Sequence, residues 1–417
     1  MPDLMLLAIN LTRRCNLGCA HCYLDAGTRQ HDKANELTTG QVCGILDDVV
    51  KLGGHPMVVL TGGEPLLRGD IEEIAAHGSG KGLPIVVGTN GLMLTGKRVR
   101  SLQAAGVIGM GISVDSLNAD FHDQFRGCPG AWSRTMAGIE ACRTAGMSFQ
   151  IHFTVTNDNA DELAAMIDFS RAVGARVLNV FFLVCTGRGG AVHDISRHRY
   201  EQVLNQLIEA QAQYQDIIIR PRCAPHFKRV AYQRDSQVAI NRIAGSAGDG
   251  CIAATGYCRI TPEGGVTPCP YIEQEAGNLK SGSLVEIWRN SPTFEALRNP
   301  QLRGACGKCE FRLLCGGCRA RPVAQGGSLM DSDPVCTHVP SGGPAIEPLG
   351  ESELGPVMWS GEAEARLERI PPFLRPMVRK RAEAYASERG AREVTTNHLE
   401  VLSARRFGKK PSLGVRP

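Results

Sequence analysis

The chain has 417 residues, 43% hydrophobic and 21% charged, the composition of a water-soluble globular protein with room for two or three domains. No apolar run approaches the roughly 18 residues of a membrane-spanning helix, and Met1-Pro2-Asp3-Leu4 lacks the basic start of a signal peptide, so a cytoplasmic protein is expected. Net charge is +4, yet residues 356–417 alone hold 13 Lys/Arg against 7 Asp/Glu, and aromatics are only 5%, a pattern that speaks against a general nucleic-acid binder.

In chain order, strand-like apolar runs fall at residues 4–9, 57–60, 85–88, 107–114, 149–155 and 177–183. Amphipathic stretches lie between them, one capped by Thr39 and ending near Leu52, another over 161–173. Six strands alternating with helices over about 180 residues predict parallel βα units in an α/β fold. The count falls short of a closed eight-stranded barrel, so a partial one is expected, with its chemistry on the loops after the strands. Residues 196–214 read as a helix and 217–219 as a short strand. From Cys251 to Cys336 the pattern breaks into Cys, Gly and Pro, a segment that needs metal to hold it. The expected division is 1–195 partial barrel, 196–250 bridging segment, 251–338 Cys-rich domain, 339–356 linker, 357–403 small helical domain broken at Pro371-Pro372, and 404–417 basic tail.

Sixteen cysteines in a chain this long point to metal or redox chemistry rather than to disulfide staples. After the first strand, Cys15, Cys19 and Cys22 stand in C-x3-C-x2-C spacing, which suits one iron–sulfur cubane with an open iron. A zinc site using His21, or three unrelated thiols, are the alternatives. After the second strand comes Thr61-Gly62-Gly63-Glu64-Pro65, a turn whose exposed peptide groups and carboxylate suit an ammonium.

Together these two motifs resemble the radical S-adenosylmethionine (SAM) superfamily, across about the first 190 residues. The resemblance implies a partial (β/α)6 barrel, a [4Fe–4S] cluster on Cys15, Cys19 and Cys22, and SAM chelating the open iron. It further implies reductive cleavage to a 5′-deoxyadenosyl radical, with reduced flavodoxin or ferredoxin as electron donor. By the same resemblance His21 lies near adenine, and Gly62, Gly63, Glu64 and Pro65 hold the methionine amine. Ser113 and Asp115 contact ribose or carboxylate, and Arg126 contacts a carboxylate.

Further on, Cys251, Cys258, Cys269, Cys306, Cys309, Cys315, Cys318 and Cys336 supply eight thiols, enough for two clusters or two zinc sites. Their spacing resembles the SPASM extension of radical SAM maturases. That resemblance assigns Cys251, Cys258, Cys269 and Cys318 to one auxiliary [4Fe–4S] cluster, and Cys306, Cys309, Cys315 and Cys336 to the other. The commonest form of the motif has three residues between the cysteines found here at 315 and 318, where this chain has only Gly316-Gly317. Cys223 is a rival ligand. Cys43, Cys128, Cys142 and Cys185 stand singly and read as ordinary buried thiols.

Residues 359–402 resemble the small C-terminal domain of a light-independent protochlorophyllide reductase subunit. The body of the chain is most similar to the heme-biosynthesis branch, through Thr12-Arg13-Arg14-Cys15-Asn16-Leu17, Gly187-Arg188-Gly189 and Cys318-Arg319-Ala320-Arg321 among others. This implies an oxidoreductase acting on a siroheme-derived tetrapyrrole, in heme or heme d1 formation. A ribosomal peptide maturase is the alternative, and a non-catalytic iron–sulfur carrier a third. No nucleic-acid or membrane partner is expected.

Overall fold

The computed structural model describes residues 2–27, 34–192, 194–214, 216–234, 250–346, 357–370, 375–387, 391 and 393–407. Most of the expected 339–356 linker, the Pro371-Pro372 break, the last ten residues of the tail and much of 196–250 after residue 234 lie outside the described residues. The chain divides into two compact units, 1–348 and 349–417.

Unit 1 alternates strands and helices: β1 (Leu6–Asn10), α1 (Thr39–Leu52), β2 (Met57–Thr61), α2 (Ile71–Gly80), β3 (Ile85–Thr89), α3 (Gly96–Ala104), β4 (Val107–Ser113), α4 (Ala119–Arg126), α5 (Ala131–Thr144), β5 (Phe149–Val155), α6 (Leu163–Ala172), β6 (Val177–Phe182), α7 (Arg197–Gln213), β7 (Ile218–Arg222) and α8 (His226–Arg234). The six expected strands are present and pair in parallel in the order β1 to β6, and β7 extends the row. This is the partial barrel that six alternating units predict.

Two details differ from expectation. The cap of α1 is Thr38, whose hydroxyl accepts from Gln41 N while Gln41 reaches back to Thr38 N. The hydroxyl of Thr39 is engaged elsewhere, donating to Asp70 Oδ2 at 2.6 Å. The Cys-rich segment also contributes strands: β8 (Tyr257–Ile260) pairs in parallel with β1, and β9 (Gly265–Thr267) and β10 (Gly277–Asn278) follow antiparallel. Its apolar residues Ile260, Val266, Trp288 and Phe294 join the main core instead of forming their own.

Because strand side chains alternate, each strand sends one set to the helices and one set to the lumen. Leu7, Ile9, Leu60, Val87, Ile112, Ile151, Phe153 and Val180 are fully buried in the helix-side core. The opposite face carries Asn10, Thr61, Gly111, Gln150, His152, Asn179, Phe181, Arg222 and Arg259. A Cβ on Gly111 would stand 2.5 Å from the His152 ring, so this glycine makes room for the imidazole.

Unit 2 pairs two short strands in parallel, Met358–Trp359 and Glu393–Val394, with helices Gly361–Glu368, Arg375–Ser387 and Thr396–Phe407. Ala363, Ala382 and Ala386 let the helices approach closely around Val394 and Leu399. Trp359 donates to Glu383 Oε1 at 2.8 Å beneath the Arg379 guanidinium.

Candidate functional site

The loop after β1 folds back on itself, Cys15 N donating to Gly27 O at 2.8 Å, and it buries the Cys15 and Cys19 thiols while leaving Cys22 half-buried. Loops from other strands hold it in place. Gly18 N and Ala20 N donate to Arg126 O and Phe125 O on α4. Arg188, after β6, donates to Cys19 O at 2.9 Å and to Ala26 O at 2.8 Å. Burial pushes the Cys15 thiol up to about 12 and raises Cys19 as well, with Arg126 opposing at Cys19. Such thiols become thiolates readily only when a cation joins them.

Zinc, with Zn–S bonds of about 2.3 Å, would draw its ligands tightly together. Among the described residues the one trio of His, Cys, Asp or Glu ligand atoms within 4.8 Å of one another is Cys309, Glu310 and His338, not Cys15, Cys19 and Cys22. Three thiols on one loop that are not drawn together as a single ion's ligands would be could hold an iron–sulfur cluster.

The turn after β2 docks directly on this loop. Gly63 N donates to Thr12 O at 2.7 Å and Glu64 N to Arg14 O at 2.8 Å. Gly62 adopts φ 134°, and a Cβ on Gly63 would lie 2.2 Å from Arg14 O, so only glycine allows this approach. Pro65, buried, opens a short 3-10 turn. The fully buried Glu64 carboxylate accepts from Thr89 Oγ1 at 2.8 Å, Asn90 N at 2.9 Å and Leu66 N at 3.1 Å. Burial raises its carboxyl despite these bonds. Glu64 therefore ties the turn to the loop after β3, where Asn90 also reaches Asn16 Oδ1 at 2.7 Å. Gly63→Ala is expected to push the turn off the cysteine loop, costing about 1–3 kcal/mol and lowering both the melting temperature and iron retention; a variant with wild-type values of both would refute this packing role.

Ser113, the last residue of β4, is half-buried, and Asp115 just past it is fully buried. Asp115 Oδ2 pairs with Arg126 Nη2 at 2.6 Å and lies 3.6 Å from His21 Nε2, while Oδ1 accepts from Thr154 N at 2.9 Å. Against the burial that raises it, Arg126 and then His21 hold this carboxyl low. Arg126 Nη1 also reaches Cys19 Sγ at 3.8 Å. His21 stacks on Phe125 at 4.4 Å, and burial lowers it to about 4, so it is neutral near pH 7. Among the described residues its Nδ1 and the Nε of Arg126 have no hydrogen-bond partner, though both are buried beside the cysteine loop.

The later cysteines gather in two groups. Cys306, Cys309, Cys315 and Cys336 share one neighbourhood with Arg229. Cys318 packs in another with Cys223 and Cys269, within electrostatic range of Cys251. The short Gly316-Gly317 step carries the chain from one group to the other, both glycines at positive φ of 64° and 71°. Cys258 departs from its expected set. It lies on β8 opposite Leu7, fully buried in the helix-side core, and Arg298 is the charged group that acts on it. Its neighbour Arg259 takes the lumen face, donating to Thr267 Oγ1 and Pro270 O. Cys223, at left-handed φ 58° after β7, packs with Cys269 and Cys318.

Between the groups, Asp333 Oδ2 accepts from Cys318 N at 2.7 Å and pairs with Arg321 at 3.3 Å, while Arg321 Nη2 donates to Cys223 O at 2.8 Å. Sequence spacing gave no signal for Asp333, since only folding brings it to Cys318. Of the single thiols, Cys142 is buried, while Cys43, Cys128 and Cys185 are half-buried.

Three family profiles match the chain: "Radical SAM superfamily" over residues 9–170, "Iron-sulfur cluster-binding domain" over 251–310 and "Proto-chlorophyllide reductase 57 kD subunit" over 359–402. An AdoMet-dependent heme synthase of Methanosarcina barkeri is 40% identical over 80% of this chain and 97% of its own length. A pre-heme d1 synthase of Dinoroseobacter shibae is 30% identical over 78% of this chain and 84% of its own. Among solved structures, Streptococcus suis SuiB bound to S-adenosylmethionine superposes with a TM-score of 0.66 at 18% identity, over 81% of this chain and 78% of that one.

Proposed function

The chain belongs to the radical SAM superfamily, in the group that carries a SPASM-type iron–sulfur domain, and from that premise we propose that it oxidises a siroheme-derived, carboxylate-bearing tetrapyrrole in heme or heme d1 formation. The observation that carries this reading is the near-complete coverage of the M. barkeri heme synthase at 40% identity. When bound, SAM and its cluster supply a 5′-deoxyadenosyl radical that abstracts hydrogen, and the auxiliary clusters supply a destination for the electron that a net oxidation releases.

The chain's own residues then have distinct tasks. Cys15, Cys19 and Cys22 hold the first cluster, and Gly62, Gly63 and Pro65 present turn backbone to the methionine amine while Glu64 fixes that turn. Arg126 and Asp115, with His21 and Ser113, orient the nucleoside and keep its neighbourhood dry. Cys306, Cys309, Cys315 and Cys336 hold one auxiliary cluster; Cys251, Cys269, Cys318 and Cys223, in place of Cys258, hold the other. Reduced flavodoxin or ferredoxin is the proposed electron donor, and the domain divisions given above are proposed with it. Among the described residues no helix is long and apolar enough to cross a membrane.

The ligand exchange has a direct check. Cys223→Ala is expected to lose about four irons per chain, whereas Cys258→Ala should keep full iron and lose only packing. Equal iron loss in the second variant alone would restore Cys258 as the ligand.

The function is tested by incubating reconstituted protein anaerobically with SAM, dithionite and either iron-coproporphyrin or didecarboxysiroheme, following 5′-deoxyadenosine and tetrapyrrole masses together. A tetrapyrrole mass change that tracks deoxyadenosine is expected. Deoxyadenosine without it would overturn the substrate and favour peptide maturation; no deoxyadenosine from cluster-replete protein would overturn catalysis.

A further inference from the structure

Two of the guanidinium groups on the lumen face have only neutral hydrogen-bond partners among the described residues. Arg222, half-buried at the end of β7, donates through Nε to Asn179 Oδ1 at 2.9 Å. Arg259, only 5% exposed on β8, donates to Thr267 Oγ1 at 3.0 Å and Pro270 O at 2.8 Å, and its guanidinium lies over the Tyr23 ring. Among the described residues no carboxylate pairs with either. By contrast Arg13, Arg126, Arg188, Arg229 and Arg321 each have one. A buried cation without an anion is costly to keep, and arginine presents a planar fork matched to a carboxylate.

Their placement is also informative. β7 and β8 end the parallel row on opposite sides, yet Arg222 lies within electrostatic range of Tyr257 on β8. Cys223, just after β7, packs with Cys269 and Tyr271 of the segment that follows β8, so the sheet curls until the two strands approach across the lumen, β7 presenting Arg222 and, two residues earlier, Arg220, and β8 presenting Arg259. Around them stand neutral groups: Asn179, Gln150 bonded to it at 2.6 Å, and His152, which burial lowers to about 3. The fully buried carboxylate whose field reaches His152, Asp115, is already paired with Arg126.

We propose that Arg222 and Arg259 are substrate-binding residues, each receiving a carboxylate of one substrate laid between β7 and β8. The site then selects for ligands bearing at least two carboxylates, and it orients them beside Cys223, the residue that follows Arg222. The identity of that ligand as a tetrapyrrole rests on the functional reading above; the carboxylate selectivity does not. The rival role is electrostatic balance for the thiolates of Cys223 and its neighbours, since the thiol of Cys223 is the first charged group acting on Arg222.

The experiment uses cluster-replete full-length protein, wild type and the variants Arg222→Gln, Arg259→Gln, their double and Arg222→Lys. Two probes are titrated anaerobically: iron-coproporphyrin by absorbance, and benzene-1,2,4,5-tetracarboxylate, with its tetraamide as the neutral control, by thermal shift. Each single Gln variant is expected to bind both carboxylate probes roughly tenfold to hundredfold more weakly, the Lys variant to recover part of the loss, and the tetraamide to give no shift. Iron content and the EPR signals of the reduced clusters should match wild type. If iron-coproporphyrin fails to bind wild type while the tetracarboxylate binds and loses affinity in the variants, the tetrapyrrole reading falls and the carboxylate site stands. Unchanged affinities in the variants would overturn the proposal, as would altered cluster EPR signals at unchanged affinity, which would assign both arginines to the clusters.

Discussion

Replacement of Cys15, Cys19 and Cys22 together by alanine is expected to abolish conversion of SAM to 5′-deoxyadenosine while leaving about eight of about twelve irons. The separation follows from the fold. The three thiols sit on one loop after β1, in a small cluster with Leu17, Leu24 and Ala26 that is distinct from the packing around the later cysteines. Alanine at these positions removes sulfur without inserting volume, and the backbone contacts from Arg188 and α4 persist. Chromatographic quantification of deoxyadenosine, iron analysis and EPR of the remaining clusters check the outcome. Continued SAM cleavage would overturn the site, and loss of nearly all iron would show that the three clusters assemble as one unit.

The second large effect is expected at the joint between the auxiliary cysteine groups. Arg321 is 6% exposed and Asp333 fully buried, and besides each other they hold Cys223 O and Cys318 N. Burial opposes both charges, yet Asp333 raises Arg321 and Arg321 holds Asp333 low, so both are ionised near pH 7. Arg321→Met strands the carboxylate in a dry interior without its cationic partner, leaving the amides of Cys318 and Val335 and, at 3.5 Å, His226 Nε2 beside it, at a cost of about 3–5 kcal/mol. A melting temperature lower by roughly 10 °C is expected, with iron lost from both auxiliary groups. Because removing both charges relieves the stranded one, Arg321→Met combined with Asp333→Leu should lose less stability than Arg321→Met alone. A double variant as unstable as the sum of its parts would show that the two residues act separately. Calorimetry under anaerobic conditions distinguishes these outcomes.

Much of this architecture was legible because strand alternation is a strong local signal. Phe149 to Val155 reads apolar-polar-apolar and folds that way, with Gln150, His152 and Thr154 half-exposed to the lumen. β8 was missed because four residues, Tyr257 to Ile260, sit between cysteines and read as part of a metal-binding stretch. The same alternation, applied to Tyr257, Cys258 and Arg259, places Cys258 away from the lumen, and spacing between cysteines does not register this. Thr38 and Thr39 are chemically identical candidates for one cap; Gln41, three residues after Thr38, closes a capping box on it, and Asp70 engages the Thr39 hydroxyl. Arg222 and Asp333 carried no local signature, and Arg321 stood only within a family-like run, because their partners are brought by the fold from other segments.

The parallel pairing of β1 with β8 has a consequence for how the chain comes to exist. Leu6 pairs with Tyr257, so one edge of the first strand waits for residues made some 250 positions later. At ordinary rates of synthesis that interval is on the order of tens of seconds, during which an apolar strand edge stands open to any neighbour. A high-contact-order closure of this kind is slow as well as late. Protection of the nascent β1 edge until the Cys-rich segment emerges is therefore expected to raise folding yield in the cell.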